Sequence, residues 1–136
     1  MYKALFVVSG NSKEFDIAPF IKRQGDSLEE IGCKIDYYSV KGKRIKGYLK
    51  NIKHLKNIIK LNNYDIIHAH YTFNGLLSLL TFSHKPLVVS YMGTDTYGDY
   101  SKDGKIIPSS YINILISKII QPFTNAIIVK SPTLKK

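Results

Sequence analysis

The chain has 136 residues, 44% of them hydrophobic and 22% charged, enough for one domain with a real core and too apolar for a disordered segment. It carries 20 Lys and Arg against 10 Asp and Glu, a formal charge of +10, and its single cysteine, Cys33, excludes an internal disulfide framework and a thiolate zinc site. No apolar run approaches the ~18 residues that a spanning helix needs, and no small-residue cleavage site follows the first apolar stretch, so the reading is a cytoplasmic domain.

In chain order, "YKALFVVS" (2–9) is a continuous apolar, β-branched run, the pattern of a strand buried on both faces. A polar loop with Gly10 and Asn11 follows. Pro19 suits the first turn of a helix that runs to about Ile31, with Gly32 just past its end. "CKIDYYSV" (33–40) is a second strand. Between Ile45 and Leu61, apolar residues at Ile45, Tyr48, Leu49, Ile52, Leu55, Ile58 and Ile59 define one face of a single helix. Lys46, Lys50, Lys53 and Lys60 project from the opposite side. The surrounding block, residues 41–60, holds eight basic residues and no acid. Such a block is either a solvated face or a docking face for an anionic surface; it lacks the interleaved aromatics and the motifs of a nucleic-acid binder.

"YDIIHAH" (64–70) is a third strand, "GLLSLLTF" (75–82) a short apolar helix, and "PLVVSYM" (86–92) a fourth strand. Residues 93–107 form a loop rich in Gly, Asp and Ser. Residues 109–120 read as a helix capped by Ser109 or Ser110, and "NAIIVKS" (125–131) as a fifth strand. Alternating helices and strands that are apolar throughout predict an α/β fold: an open parallel sheet of about five strands with helices on both faces.

Ligands of such sheets bind beyond the carboxyl ends of the strands. Those ends carry Ser9, Gly10 and Asn11; His68, His70, Tyr71 and Asn74; Ser90, Gly93, Thr94 and Asp95; and Lys130 and Ser131. Gly10 either permits a tight turn or lets backbone approach a phosphate. His68 and His70 lie two apart and so share a face of their strand. H-x-H at a strand end serves as half a metal site, as an acid/base pair or as two ring-shaped fillers. A zinc pair needs further ligands, and only Asp95 offers one, so no metal is expected. His68 is read as the deeper, structural ring and His70, one pleat nearer the rim, as the ligand-facing one.

With these residues in view, the chain resembles the N-terminal domain of a family 4 glycosyltransferase of the GT-B type. "PFIKRQGDSLEEIGCKIDYYSVKGK" is similar to the family's first helix, second strand and following loop, and "NYDIIHAHYTFNGLLSLL" to its D-hydrophobic-hydrophobic-H-x-H strand and helix. "KPLVVSYMGTD" resembles its P-x-V-x-x-x-H-G-x-D segment, and "NAIIVKSPTLKK" its A-hydrophobic-hydrophobic-V-x-S segment. The resemblance implies one Rossmann-like half of a two-domain enzyme. Residues 1–136 are then the acceptor side, and a C-terminal donor-binding domain, absent from this chain, holds the family's E-x7-E carboxylates.

The implied reaction moves a sugar with retention from a nucleotide-sugar to a glycan or lipid-linked acceptor, in polysaccharide biosynthesis, without metal or cofactor. The resemblance carries Gly10 and Asn11 onto the loop near the donor phosphates, and Gly93 and Asp95 onto the G-x-D. Met92 stands where many members have histidine, which leaves that chemistry to His70 or Asp95. Asp95 and His70 are the expected catalytic pair, with Tyr71, Asn74, Gly93 and Thr94 lining the acceptor cleft. Lys46, Lys50, Lys53 and Lys60 form the face for an anionic membrane, which makes the domain peripheral on the membrane's inner surface. Two rivals stand beside this reading: a non-catalytic Rossmann-like binding module with a basic partner-docking helix, and half of a GT-B-type sugar-nucleotide epimerase.

Overall fold

The β-branched runs become strands of a single sheet. The computed structural model describes residues 1–42, 44–92, 101–108 and 110–129, with the side chains of Arg44, Ile45 and Tyr48 excepted. Strands β1 (Lys3–Ser9), β2 (Lys34–Val40), β3 (Ile66–His70), β4 (Leu87–Tyr91) and β5 (Ala126–Val129) lie in the order β2-β1-β3-β4-β5, and every neighbouring pair is parallel. The chain first steps from β1 to β2, then returns past β1 to place β3. The switch point therefore falls between β1 and β3, where the carboxyl ends of a doubly wound sheet open a crevice.

Strand periodicity sorts the core into two layers. Leu5, Val7, Ile67, Ala69, Leu87, Val89 and Tyr91 face helices α3 (Asn51–Leu61), α4 (Thr72–Leu79) and α5 (Ser110–Ile120), meeting Leu55, Ile59, Leu77 and Ile120. Phe6, Val8 and Ile35 face α1 (Pro19–Glu30), through Ile21. Pro19 opens α1 as expected. Gly32, at φ 95, closes it, with the N–H groups of Gly32 and Cys33 donating to Glu29 and Leu28 carbonyls.

The single helix expected over 45–61 is two, α2 (Arg44–Leu49) and α3, joined at Lys50. Asn51 breaks the ladder. Its Nδ2 donates to the Gly47 carbonyl at 2.9 Å, the acceptor that Asn51's own N–H would use in a continuous helix, and to the Lys41 carbonyl at 2.9 Å. Gly47 also packs on Gly42, where a Cβ on either would stand under 3 Å from the other's backbone.

Helix α4 begins three residues earlier than the apolar run suggested. Tyr71 turns the chain at φ 78 directly after β3, and Gly75 N–H bonds the Tyr71 carbonyl. The run "GLLSLL" marks the buried side of this helix but not its start. The predicted caps of α5 divide: Ser109 lies outside the described residues, and Ser110 is the first helical residue, its Oγ donating to the Ile107 carbonyl.

Candidate functional site

The H-x-H pair ends β3 on the face that meets α1. Its rings stack with centroids 4.2 Å apart, 21° from parallel, and Phe6 lies 4.9 Å from each. His68 Nε2 sits 2.7 Å from Ser90 Oγ, on the neighbouring strand, and His70 Nε2 3.2 Å from Gln24 Oε1, on α1. The expected depth order is reversed: His70 is 0% exposed and His68 6%. Helix α1 covers the outer ring, a contact that strand periodicity alone could not reveal. Burial lowers both imidazoles, His68 to about 4 and His70 to about 3, the latter helped by its neighbour, so both are neutral near pH 7.

Two buried acceptors at this end have no donor. With the Gln24 oxygen accepting from Nε2–H, His70 Nδ1 is a bare lone pair, and it has no hydrogen-bond partner. Asn74 Oδ1 is likewise unpartnered, while its Nδ2 donates to Ser9 Oγ at 3.0 Å and to the His70 carbonyl. An orphaned buried polar atom costs about 1–3 kcal/mol. Tyr71, whose φ of 78 is strained for an aromatic residue, lies between them in sequence. Ser9, His70, Tyr71 and Asn74 thus gather at the switch point, as the strand ends predicted.

The first loop is differently employed. Gly10 N–H donates to the Val40 carbonyl at 2.9 Å, and a Cβ on Gly10 would stand 2.8 Å from Ser39 Cβ. Both ends of the Asn11 amide are spent on Gly42, Nδ2 on its carbonyl at 2.7 Å and Oδ1 on its N–H at 2.9 Å. These bonds tie the turn after β1 to the end of β2 and the residues that follow it, and they engage the Gly10 N–H and the Asn11 side-chain amide. Gly93, Thr94, Asp95, Lys130 and Ser131 lie outside the described residues. The strand neighbours β3 and β4 are in register, with His70 opposite Ser90, so the chain leaves β4 at Tyr91 next to the end of β3. Met92 is part-buried at that exit.

Lys46, Lys50, Lys53 and Lys60 are all exposed. Among the described residues no three His, Cys, Asp or Glu side chains gather to hold a metal ion, and no helix is long and apolar enough to cross a membrane. Gln24 is the site residue that sequence reasoning missed. Its signal was present: Ile21, Gly25 and Leu28 form the inward stripe of α1, and Gln24 is the polar residue on that stripe.

Compared with known protein families, the chain matches the model described as glycosyl transferase 4-like over residues 3–131, a span that takes in all five strands and both sides of the switch point. No curated protein matches it.

Proposed function

The chain belongs to the glycosyl transferase 4-like family, and from that premise we propose that it is the acceptor-side half of a retaining enzyme that moves a sugar from a nucleotide-sugar to a glycan or lipid-linked acceptor. A glycosyltransferase role in general terms follows from the family. The donor, the acceptor, retention and the partnership with a second, donor-binding domain are the proposal. The observation that carries it is the match over residues 3–131, which includes every described strand end of the rim.

In this reading the crevice between β1 and β3 receives the acceptor. His70 Nδ1 and Asn74 Oδ1, both acceptors without donors, suit sugar hydroxyls, which can donate to them once the rim opens. Neutral His70 is able to take a proton from an attacking hydroxyl but has none on Nδ1 to give. Asp95 is assigned to orient His70 or to accept from the sugar. Because the Gly10 N–H and the Asn11 side-chain amide are engaged within the fold, Gly10 and Asn11 shape the rim in this reading, and the diphosphate is gripped mostly by the second domain. The reaction needs no metal or cofactor.

The test is transfer of a labelled sugar. Residues 1–136 alone, offered a panel of nucleotide-sugars and acceptors, should show no turnover above background. A polypeptide that adds a donor-binding domain should transfer sugar, with the donor's anomeric configuration kept. Robust transfer by residues 1–136 alone would overturn the two-domain reading, and an inverted product would overturn retention.

The exposed lysines of α2 and α3 favour a second property, reversible attachment to an anionic membrane on its inner surface.

A further inference from the structure

A groove of about 530 Å³ opens at the amino ends of β3 and β4, between the last turn of α3 and the turn that joins α4 to β4. Ile59, Leu61 and Phe82 give it apolar walls, Lys56, Lys60 and Lys85 surround them, and no Asp or Glu lines it. Lys85 Nζ donates to Asn63 Oδ1 at 3.0 Å, which holds that ammonium at the groove. Among the described residues, none of these three lysines is ion-paired.

Phe82 is the unusual choice. It takes φ 52 just past the end of α4, where its N–H bonds the Leu79 carbonyl, a position that glycine fills without strain. The strain is not offset by burial, because the ring is 79% exposed; Leu61, across the groove, is 84% exposed. Among the described residues, nothing covers this strained aromatic or the leucine across from it, and lysines ring both.

We propose that this groove docks on an anionic lipid bilayer, with Phe82 and Leu61 entering the headgroup region while Lys56, Lys60 and Lys85 meet lipid phosphates. A bilayer interface offers negative charge and apolar depth within a few ångströms of each other, and aromatic side chains favour that layer. The groove continues the outward lysines of α3 toward the strands' amino ends, so a docked molecule keeps the carboxyl-end crevice clear. The inference rests on the anionic-membrane reading of α3 and not on the transferase reading.

The test is co-sedimentation of the 136-residue chain with phosphatidylcholine vesicles, with and without phosphatidylserine, at low and high salt. Phe82→Gly suits a left-handed backbone, so the Phe82→Gly/Leu61→Ser double variant should keep its thermal midpoint while losing about tenfold in affinity for anionic vesicles. Lys56, Lys60 and Lys85 changed together to Gln should lose binding at least as far, and salt should weaken the native chain. A Phe82→Trp probe should shift its emission to the blue on anionic vesicles. Absence of native binding would overturn both this inference and the membrane reading. Undiminished binding by the double variant, or an unshifted probe on bound protein, would overturn the groove alone. Equal binding to neutral vesicles would remove the lysines from the account.

Discussion

His68 and His70 are kept neutral by burial, and the side chains around them, Phe6, Gln24 and Ser90, bring no charge. Their values near 4 and 3 lie below the ordinary 6.5, so the unfolded chain takes up protons that the folded chain refuses. Stability is therefore full above about pH 6.5 and falls as the pH drops toward 4, with a slope of about 1.4 kcal/mol per pH unit for each ring. Urea unfolding at a series of pH values between 7 and 4.5 checks this, and a His68→Asn/His70→Gln variant should flatten the profile. A native profile that is already flat would contradict the burial of the pair. At the same scale, the transferase reading expects Asp95→Asn to cut turnover strongly in the two-domain enzyme. Met92→Leu, which conserves volume and apolarity, should cost little. Equal damage from the two changes would remove Asp95 from its assigned role.

Helical periodicity ran unbroken through Ile45–Leu61, yet the chain divides at Lys50 because one side chain competes with the backbone. Asn51 donates to Lys41 and Gly47 carbonyls, and its Oδ1 accepts from Tyr38 Oη at 2.8 Å. Asn51→Leu should cost about 1–3 kcal/mol by stranding these partners. Gly47→Ala should cost a similar amount, because its Cβ would meet Gly42 backbone at 2.7 Å and backbone cannot swing aside. Denaturant titration reads both. An Asn51→Leu variant that gained helix content without losing stability would show that the break is not maintained by these bonds. The pattern 45, 48, 49, 52, 55 records which side of a helix is apolar. It carries no information on a polar residue's choice between solvent and a carbonyl four residues back, and that choice was made by the proximity of Lys41 and Tyr38.

Over the whole molecule, the two faces of the sheet are unequally covered. Helices α3, α4 and α5 share one face, whereas on the other, among the described residues, α1 alone lies over β1 and β2. Ala4, Ile66, Val88 and Ile128 line a groove of about 380 Å³ on that second face, with Ile66 and Ile128 36% and 44% exposed. Parallel sheets are ordinarily buried on both sides. Residues 1–136 should accordingly bind a hydrophobic dye such as anilinonaphthalene sulfonate. Ile66→Thr with Ile128→Thr should reduce that binding while keeping the thermal midpoint within a few degrees, since threonine suits a strand and neither side chain is buried. Undiminished dye binding would place the apolar surface elsewhere.

What the sequence determined by itself was whatever follows from period and order. Short apolar β-branched runs such as "ALFVV" and "PLVV", bounded by polar and turn residues, read as buried strands, Pro19 and Gly32 mark the ends of a helix, and alternation of the two elements leaves a parallel sheet with its polar groups at the carboxyl ends. That was sufficient for Ser9, His70, Tyr71 and Asn74 to be placed on one rim and for the four family-like segments to be recognised in register. Only the tertiary structure decided which of these groups are already engaged. Gly10 is tied to the end of β2 and Asn11 to Gly42 just past it, His70 is closed over by Gln24 of α1, and Phe82 is left in solvent with its backbone strained. The first two outcomes depend on contacts between elements distant in the chain, and the third on the lack of one among the described residues. Local periodicity reports which face a residue takes and is silent about what packs against that face.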